Sequence, residues 1–246
     1  MSEAEANGLG KDAAHNNETH DARFPLSSSL PQAGESDKVS LREIHVNKPV
    51  VAAFDFDGTL TRRDTLLPFL LHALGAPAVM RHALVLAPTL AGYGLGMIRN
   101  DVAKERVLTQ SFFGTDISVL RDKAARFAEQ KLPELIRPEA ARRFDWHKKQ
   151  GHRCVVISAS LDIYVQPWAL KAGFDDVLAS RLETLEDGCI TGNLLGENCF
   201  GIEKVRRLEA LLGSKNDYIL YAYGDSRGDK ELLSAADYAY YRRIPG

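Results

Sequence analysis

The sequence predicts an α/β fold, in which an open parallel sheet carries an inserted block of helices. Short apolar runs, typical of strands buried on both faces, occur at residues 49–57, 152–160 and 217–225. Helical patterns lie between these runs, as crossovers between parallel strands require. The first two runs are separated by a long, almost continuously helical stretch, which predicts an insertion into the sheet domain.

Composition limits the function classes. The 246 residues are 45% hydrophobic and 26% charged, as in an ordinary soluble globular protein. The net charge of −2 gives no reason to expect nucleic acid as a partner. Three cysteines, few and odd in number, argue against a disulfide framework and favour the cytoplasm. Residues 1–47 are rich in Ser, Asn, Glu and Asp, lack an apolar signal segment, and predict a disordered leader.

The insertion is predicted to be a helical cap over residues 65–148. The core domain is then formed by residues 48–64 and 149–246. Helices of the cap are predicted at 65–75, 101–113, 116–136 and 138–151. Pro138 fits the first turn of the last of these helices, and Gly151 fits its end.

One segment of the cap, residues 82–98, is unusually apolar. Its 17 residues contain no Lys, Arg, Asp or Glu. A length of 17 residues is at the lower limit for a helix that crosses a bilayer of about 30 Å. Pro88 and three glycines weaken it as a spanning helix. Two interpretations stay open, a buried helix of the cap and a segment that contacts a membrane from one side.

Strands and helices alternate again in the second half of the chain. A helix is predicted at 161–173, a strand at 175–180, and a hairpin around Asp187-Gly188. An amphipathic helix follows at 201–213 and ends at Gly213. A short helix at 230–237 and a last strand at 238–243 complete the core domain.

Polar residues follow three of the predicted strands. Asp55 and Asp57 end the first strand, Ser158 ends the second, and Asp225 ends a later one. Ligands in open α/β sheets bind outside the carboxyl ends of the strands, and Lys204 opens a helix on the same side. Carboxylates for a divalent cation, a hydroxyl and an ammonium together suit a phosphoryl group. Transfer of that group depends mainly on positioning and electrostatics.

Four segments carry a family resemblance. The segments DFDGTLT, VVISAS, GIEK and YGDSRGDKELL, in this order, resemble the signature motifs of the haloacid dehalogenase-like (HAD) hydrolase superfamily over residues 49–240. The helical insertion resembles the cap of subfamily IB, the phosphoserine phosphatase-like branch. The resemblance implies a Rossmann-like core and a Mg²⁺-dependent phosphomonoester hydrolase that forms an aspartyl-phosphate. It also implies a small-molecule phosphate substrate, such as a phosphoserine-like compound.

The resemblance assigns roles to the first motif. Asp55 would be the nucleophile and a Mg²⁺ ligand. Asp57 would act as general acid and then base, and would give the metal its backbone carbonyl. Thr59 would lie beside the phosphate.

The later motifs complete the implied site. Ser158 and the amide of Ala159 would bind phosphate, and Lys204 would neutralise the nucleophile and the phosphate. Asp225 would be the second carboxylate ligand, and Asp229 would support the metal and its waters. Ser160 and Asp162 are interpreted as caps of the following helix.

The substrate is left open by one departure from the family pattern. Asp64 stands where phosphoserine phosphatases have a glutamate that holds the substrate ammonium. It is either a substrate contact or a helix N-cap. The apolar cap also fits the phosphatidylglycerophosphatase group, whose substrate is a lipid phosphate. Phosphotransfer to another acceptor is a further alternative. Dehalogenation is disfavoured by Asp57 and the Asp225/Asp229 pair, and a catalytically inactive binding module would require a broken site.

Overall fold

A parallel sheet of five strands forms the centre of the molecule, in a computed structural model that describes residues 48–245. The predicted leader at residues 1–47 lies outside the described residues. The strands are β1 (Val50–Phe54), β2 (Arg153–Leu161), β3 (Asp176–Ser180), β4 (Leu182–Thr184), β5 (Ile190–Leu194), β6 (Ile219–Gly224) and β7 (Tyr238–Tyr241). The sheet order is β3-β2-β1-β6-β7, and every neighbouring pair is parallel. The predicted open parallel α/β sheet is therefore confirmed.

Nine α-helices are described in the same residue range. They are α1 (Leu66–Leu74), α2 (Ala76–Gly94), α3 (Asn100–Phe112), α4 (Ile117–Gln130), α5 (Leu132–Leu135), α6 (Pro138–Lys149), α7 (Asp162–Ala172), α8 (Ile202–Leu212) and α9 (Lys230–Ala235). The single helix predicted at 116–136 is divided into α4 and α5, because the chain leaves the α4 geometry at Lys131, just before Pro133. Pro133 has no N–H to donate to an earlier turn, so it begins a new helix instead.

The core has two layers because successive strand residues face opposite sides of the sheet. Ala52 and Phe54 of β1 pack into one hydrophobic cluster, with α6 and α7. Val51 and Ala53 pack into the other cluster, with α8 and α9. Both faces of β1 are thus covered, which explains its uninterrupted apolar sequence.

Aromatic side chains join the cap to the core. Phe69 of α1 packs against Phe112 of α3, Phe127 of α4 and Tyr164 of α7, with ring centroids 4.9–5.9 Å apart. The last predicted cap helix, α6, packs against β2, and its buried His147 bonds to Tyr223 of β6. The exact boundary between cap and core near residue 148 stays a prediction.

The predicted hairpin is confirmed as the antiparallel pair β4 and β5. It packs against α3, which lies in the predicted cap. The N–H of Leu194 donates to Glu105 Oε1 at 3.0 Å, and the N–H of Ile117 donates to the Gly188 carbonyl at 3.0 Å. A side chain at Gly192 would lie 2.3 Å from Thr109 Cα, so only glycine permits this close approach.

The apolar segment 82–98 is mostly exposed. Leu86, Thr89 and Gly92 are the buried residues of α2, whereas Leu84 and Leu95 are 78% and 74% exposed. The interpretation as a buried cap helix is therefore wrong for most of the segment. Apolar composition predicts a helix but does not specify that another element covers it. In the part of the chain that the structure describes, none of the helices combines the length and hydropathy that crossing a bilayer requires.

Candidate active site

Asp55 lies at the middle of the carboxyl edge of the sheet, because it follows the central strand β1. Its backbone N–H donates to the Tyr223 carbonyl at 2.9 Å, which continues the pairing with β6. The residue is 6% exposed. Burial raises the pKa of Asp55 to about 7, although the Lys204 ammonium opposes this rise. An ionised Asp55 at neutral pH therefore depends on nearby positive charge.

Lys204 supplies part of that charge from the first turn of α8. Its Nζ lies 2.6 Å from Asp55 Oδ1 and 2.5 Å from Asp229 Oδ1, and the whole side chain is buried. Burial alone would lower the pKa of Lys204, but the two carboxylates outweigh burial and raise it. One ammonium thus bridges two buried carboxylates.

Asp225, which follows β6, completes a group of three carboxylates. One oxygen from each of Asp55, Asp225 and Asp229 lies within 4.8 Å of the others. Asp225 Oδ1 is buried and makes no hydrogen bond within residues 48–245. Burial and the neighbouring Asp229 raise the pKa of Asp225. Oxygen ligands with an unpaired buried carboxylate fit Mg²⁺, which binds proteins through one or two carboxylates.

Asp229 already has partners for both of its oxygens. Oδ1 accepts from Lys204, and Oδ2 accepts from the backbone N–H and the hydroxyl of Ser226 at 3.0 and 2.8 Å. Ser226 and Asp229 form a capping box at the start of the short turn before α9. Asp229 therefore fixes the loop that carries Asp225, and its Oδ1, which accepts only from Lys204, keeps a lone pair for a metal ion or its water.

Asp57 lies in a tight turn, Phe56–Leu60, that leaves β1. Its Oδ1 accepts from the N–H and hydroxyl of Thr65 at 3.0 and 2.7 Å, and its Oδ2 accepts from the Ser160 hydroxyl. Burial, followed by repulsion from Asp64, raises the pKa of Asp57 to about 6. A carboxyl group with that pKa can both donate and accept a proton near neutral pH.

The same turn packs directly against Asp225. Gly58 has φ +75°, and a side chain there would place its Cβ 2.2 Å from Asp225 Oδ2. The Gly58 carbonyl accepts from Arg137 Nη1 at 2.9 Å, which holds the turn from its other side. The hydroxyl of Thr59 is buried and has no hydrogen-bond partner among residues 48–245, so a ligand could use it.

The end of β2 brings a hydroxyl and a backbone segment to the same edge. Ser158 is 1% exposed, and its Oγ accepts the N–H of Ser160 at 3.0 Å. The prediction that Ser160 is the N-cap of the following helix is wrong. Its hydroxyl donates to Asp57, and α7 begins without a side-chain N-cap. Asp162 lies in the first turn of α7, 3.8 Å from Arg181 Nε, rather than at its cap.

A cavity of about 210 Å³ lies between this edge and the predicted cap. Asp64 lines it and also accepts the N–H of Leu66 at 2.9 Å, so it stabilises the start of α1. Both interpretations of Asp64 therefore have structural support. Asp57 and Ser160 line the core side of the cavity, which connects it to the proposed acid–base group.

Sequence reasoning did not find Lys104, which enters this cavity from α3. Its ammonium donates to the Ala159 carbonyl and lies 3.5 Å from Asn198 Oδ1. Burial lowers the pKa of Lys104 to about 8, and the Asp57 and Asp64 carboxylates partly offset this effect. No motif contains this residue. Its bond to the Ala159 carbonyl of β2 exists only in the tertiary fold, so no pattern within α3 could have indicated it.

Residues 52–234 match the family described as haloacid dehalogenase-like hydrolase. Because the match spans most of the chain, the protein belongs to this hydrolase family, as the four motifs predict.

Three similar proteins show how far the likeness extends. The chain is 35% identical over 221 residues to Protein CicA of Caulobacter vibrioides (strain ATCC 19089 / CIP 103742 / CB 15), covering 90% of this chain and 94% of CicA. A protein of unknown function from Bordetella pertussis Tohama I has a similar fold, with TM-score 0.66, 24% identity and coverage of 77% and 87% of the two chains. A substrate-bound phosphoserine phosphatase gives TM-score 0.54 at 20% identity, covering 79% and 86%. The two structural likenesses establish the fold.

Proposed function

We propose that the protein is a Mg²⁺-dependent phosphomonoester hydrolase that forms an aspartyl-phosphate on Asp55. The observation that carries the proposal is the buried contact of Lys204 with Asp55 and Asp229, beside the unpaired oxygen of Asp225. One ammonium leaves three carboxylates with excess negative charge. A bound Mg²⁺ would reduce that charge and polarise the phosphoryl oxygens.

Asp55 would attack the phosphorus atom with its free carboxylate oxygen. The bond from phosphorus to the ester oxygen breaks, and a new bond joins phosphorus to Asp55. Ser158, the Ala159 amide and Thr59 would hold the phosphoryl oxygens. Lys204 would stabilise the negative charge that accumulates in the transition state.

Asp57 would carry the proton in both halves of the reaction. It would first protonate the departing alkoxide, which leaves as an alcohol. It would then take a proton from water as the water attacks phosphorus, so that inorganic phosphate is released and Asp55 is restored. A pKa near 6 and the fixed contacts with Thr65 and Ser160 support this role.

The small cavity supports a small phosphate ester as the substrate, of the phosphoserine-like class. Its polar lining includes Asp64, Lys104 and Asn100. A second candidate is a lipid phosphate, which is favoured by the apolar side chains that line the same cavity, Leu66 and Leu90, and by the exposed apolar residues of α2.

The test is release of inorganic phosphate with Mg²⁺ from phosphoserine, sugar phosphates, nucleotides and phosphatidylglycerophosphate. We expect one substrate class to dominate, EDTA to abolish release, and Asp55→Asn to be inactive. Matched rates of alcohol and phosphate release indicate water as the acceptor. A deficit of phosphate when an added alcohol is present would indicate a phosphotransferase. An Asp55→Asn variant as active as the wild type would disprove the nucleophile assignment.

A further inference from the structure

One face of α2 is apolar and exposed along its length. At 100° per residue, Met80, Leu84, Ala87, Pro88 and Ala91 lie within an arc of roughly 100°. All five are exposed, whereas Leu86, Thr89 and Gly92 face the protein. The helix therefore presents an apolar stripe to the outside.

The loop that follows α2 continues this surface. Leu95 and Met97 are 74% and 73% exposed, and Met80 and Leu84 on the helix are 69% and 78% exposed. We define the apolar face as the exposed residues Met80, Leu84, Ala87, Pro88, Ala91, Leu95 and Met97. Soluble monomers seldom expose a contiguous group of large apolar side chains unless it serves an interaction.

The charged side chains within the segment that carries the apolar face, residues 65–100, have one sign. From Thr65 to Asn100 the chain contains no Asp or Glu, and its arginines are Arg81 and Arg99. Arg81 is exposed at the border of the apolar stripe. Arg99 is also exposed and pairs with Asp101 at 2.6 Å, just beyond the segment. The preferred partner therefore offers apolar surface together with neutral or negative charge.

From these features we infer that the apolar face docks the protein onto an anionic lipid bilayer, with α2 lying in the plane of the interface. Helices with an apolar face and a basic border insert into the boundary between headgroups and acyl chains. A second copy of the chain fits less well, because a two-fold interface would bring each face against itself. Neither copy would then offer the exposed Arg81 an acidic partner from residues 65–100.

The docking would orient the cavity as well as hold the protein. Leu90 and Tyr93, which lie outside the arc of the apolar face on α2, are partly exposed and line the 210 Å³ cavity. A bilayer against the apolar face would thus lie about one helix diameter, about 10 Å, from the cavity. The inference concerns binding alone and requires no catalytic step.

Flotation with vesicles tests it directly, using phosphatidylcholine alone and a 3:1 mixture with phosphatidylglycerol. We expect the wild type to float with the mixed vesicles and less with phosphatidylcholine alone. The double variant Leu84→Glu/Met97→Glu should reduce the partition coefficient by roughly tenfold or more, because it places charge in the inserted face. Circular dichroism would verify that the variant is folded.

Leu170→Glu is the matched control, since Leu170 is 54% exposed on α7 of the core and lies outside the apolar face. It should float like the wild type. Failure of the wild type to bind either vesicle, or equal binding by the double variant, would overturn the inference. A dimer in light scattering that Leu84→Glu converts to a monomer would assign the face to a second copy instead. Neither readout involves substrate, so the result is independent of the proposed activity.

Discussion

At the scale of single residues, Lys204 is the most consequential charge. Lys204→Met should lower kcat by about 10²–10³-fold, because it removes a fixed cation from the site of developing charge. It should also destabilise the fold by about 3 kcal/mol, since Asp55 and Asp229 lose their buried partner. Steady-state kinetics and urea unfolding measure the two effects. Arg206→Met, at a residue whose side chain is 67% exposed on the same helix, should change neither.

Lys104 should affect binding more than chemistry. It has no carboxylate within 4 Å among the described residues, so its ammonium is available to an anionic group of the substrate. Lys104→Met should raise KM about tenfold with a smaller effect on kcat. In the wild type KM should rise above pH 8, where the ammonium deprotonates, and Lys104→Arg should remove that rise. A KM that is independent of pH, or a loss confined to kcat, would contradict this role.

The residues at strand ends could be predicted from sequence, because a carboxylate at the end of a buried strand is costly unless it has a partner such as a cation. Asp55, Asp57, Ser158, Lys204 and Asp225 are indeed brought together at one edge of the sheet, although their chemical roles stay proposals. Lys104 and the Ser160 contact could not be predicted. Each depends on which face of one element meets another, and periodicity within a single element does not contain that information.

At the scale of elements, the turn after β1 depends on close packing. Gly58→Ala should reduce activity at least about 100-fold, because the added Cβ would displace the Asp225 carboxylate. It should also cost about 1–2 kcal/mol of stability from the positive φ. Gly188→Ala in the hairpin is the control, since Gly188 has a similar φ of +84° with nothing within 4 Å of its Cβ. The control should lose similar stability and keep full activity in the phosphate-release assay.

The helices show what pattern alone can decide. The hairpin and the α8 stop at Gly213 follow from local turn chemistry, and both are confirmed. The burial of α2 was predicted wrongly. An apolar sequence fits a helix packed against the protein and also a helix whose apolar side chains are exposed. The division between α4 and α5 depended on Pro133, whose effect on a helix varies with its context.

At the scale of the whole molecule, the part of the stability that depends on His147 should fall on acidification, whereas the raised pKa values of Asp55 and Asp57 act in the opposite direction. His147 is buried against Tyr223 and His152, and burial with the nearby Arg143 lowers its pKa to about 3. The unfolded state therefore binds a proton below about pH 6.5 that the folded state does not. This contribution is present above pH 6.5 and is lost between pH 6.5 and 3, reaching about 2 kcal/mol at pH 5.

Urea unfolding of the wild type and His147→Gln between pH 7 and 5 checks this expectation. The variant should be less stable than the wild type at pH 7, and this difference in the free energy of unfolding should shrink as the pH falls to 5. If the free energy of unfolding changed with pH equally in the two proteins, groups other than His147 would determine the pH dependence.

The contact between the hairpin and α3 has a consequence for the entry of molecules into the cavity. Thr61 and Ile136 pair with each other, and the hairpin adds a second attachment of the predicted cap at Gly192 and Leu194. We expect a cap attached at both places to move less on the core than one joined only by its two chain connections. If it does, the cross-section of a molecule rather than its total size should decide whether it enters the cavity beside Tyr93.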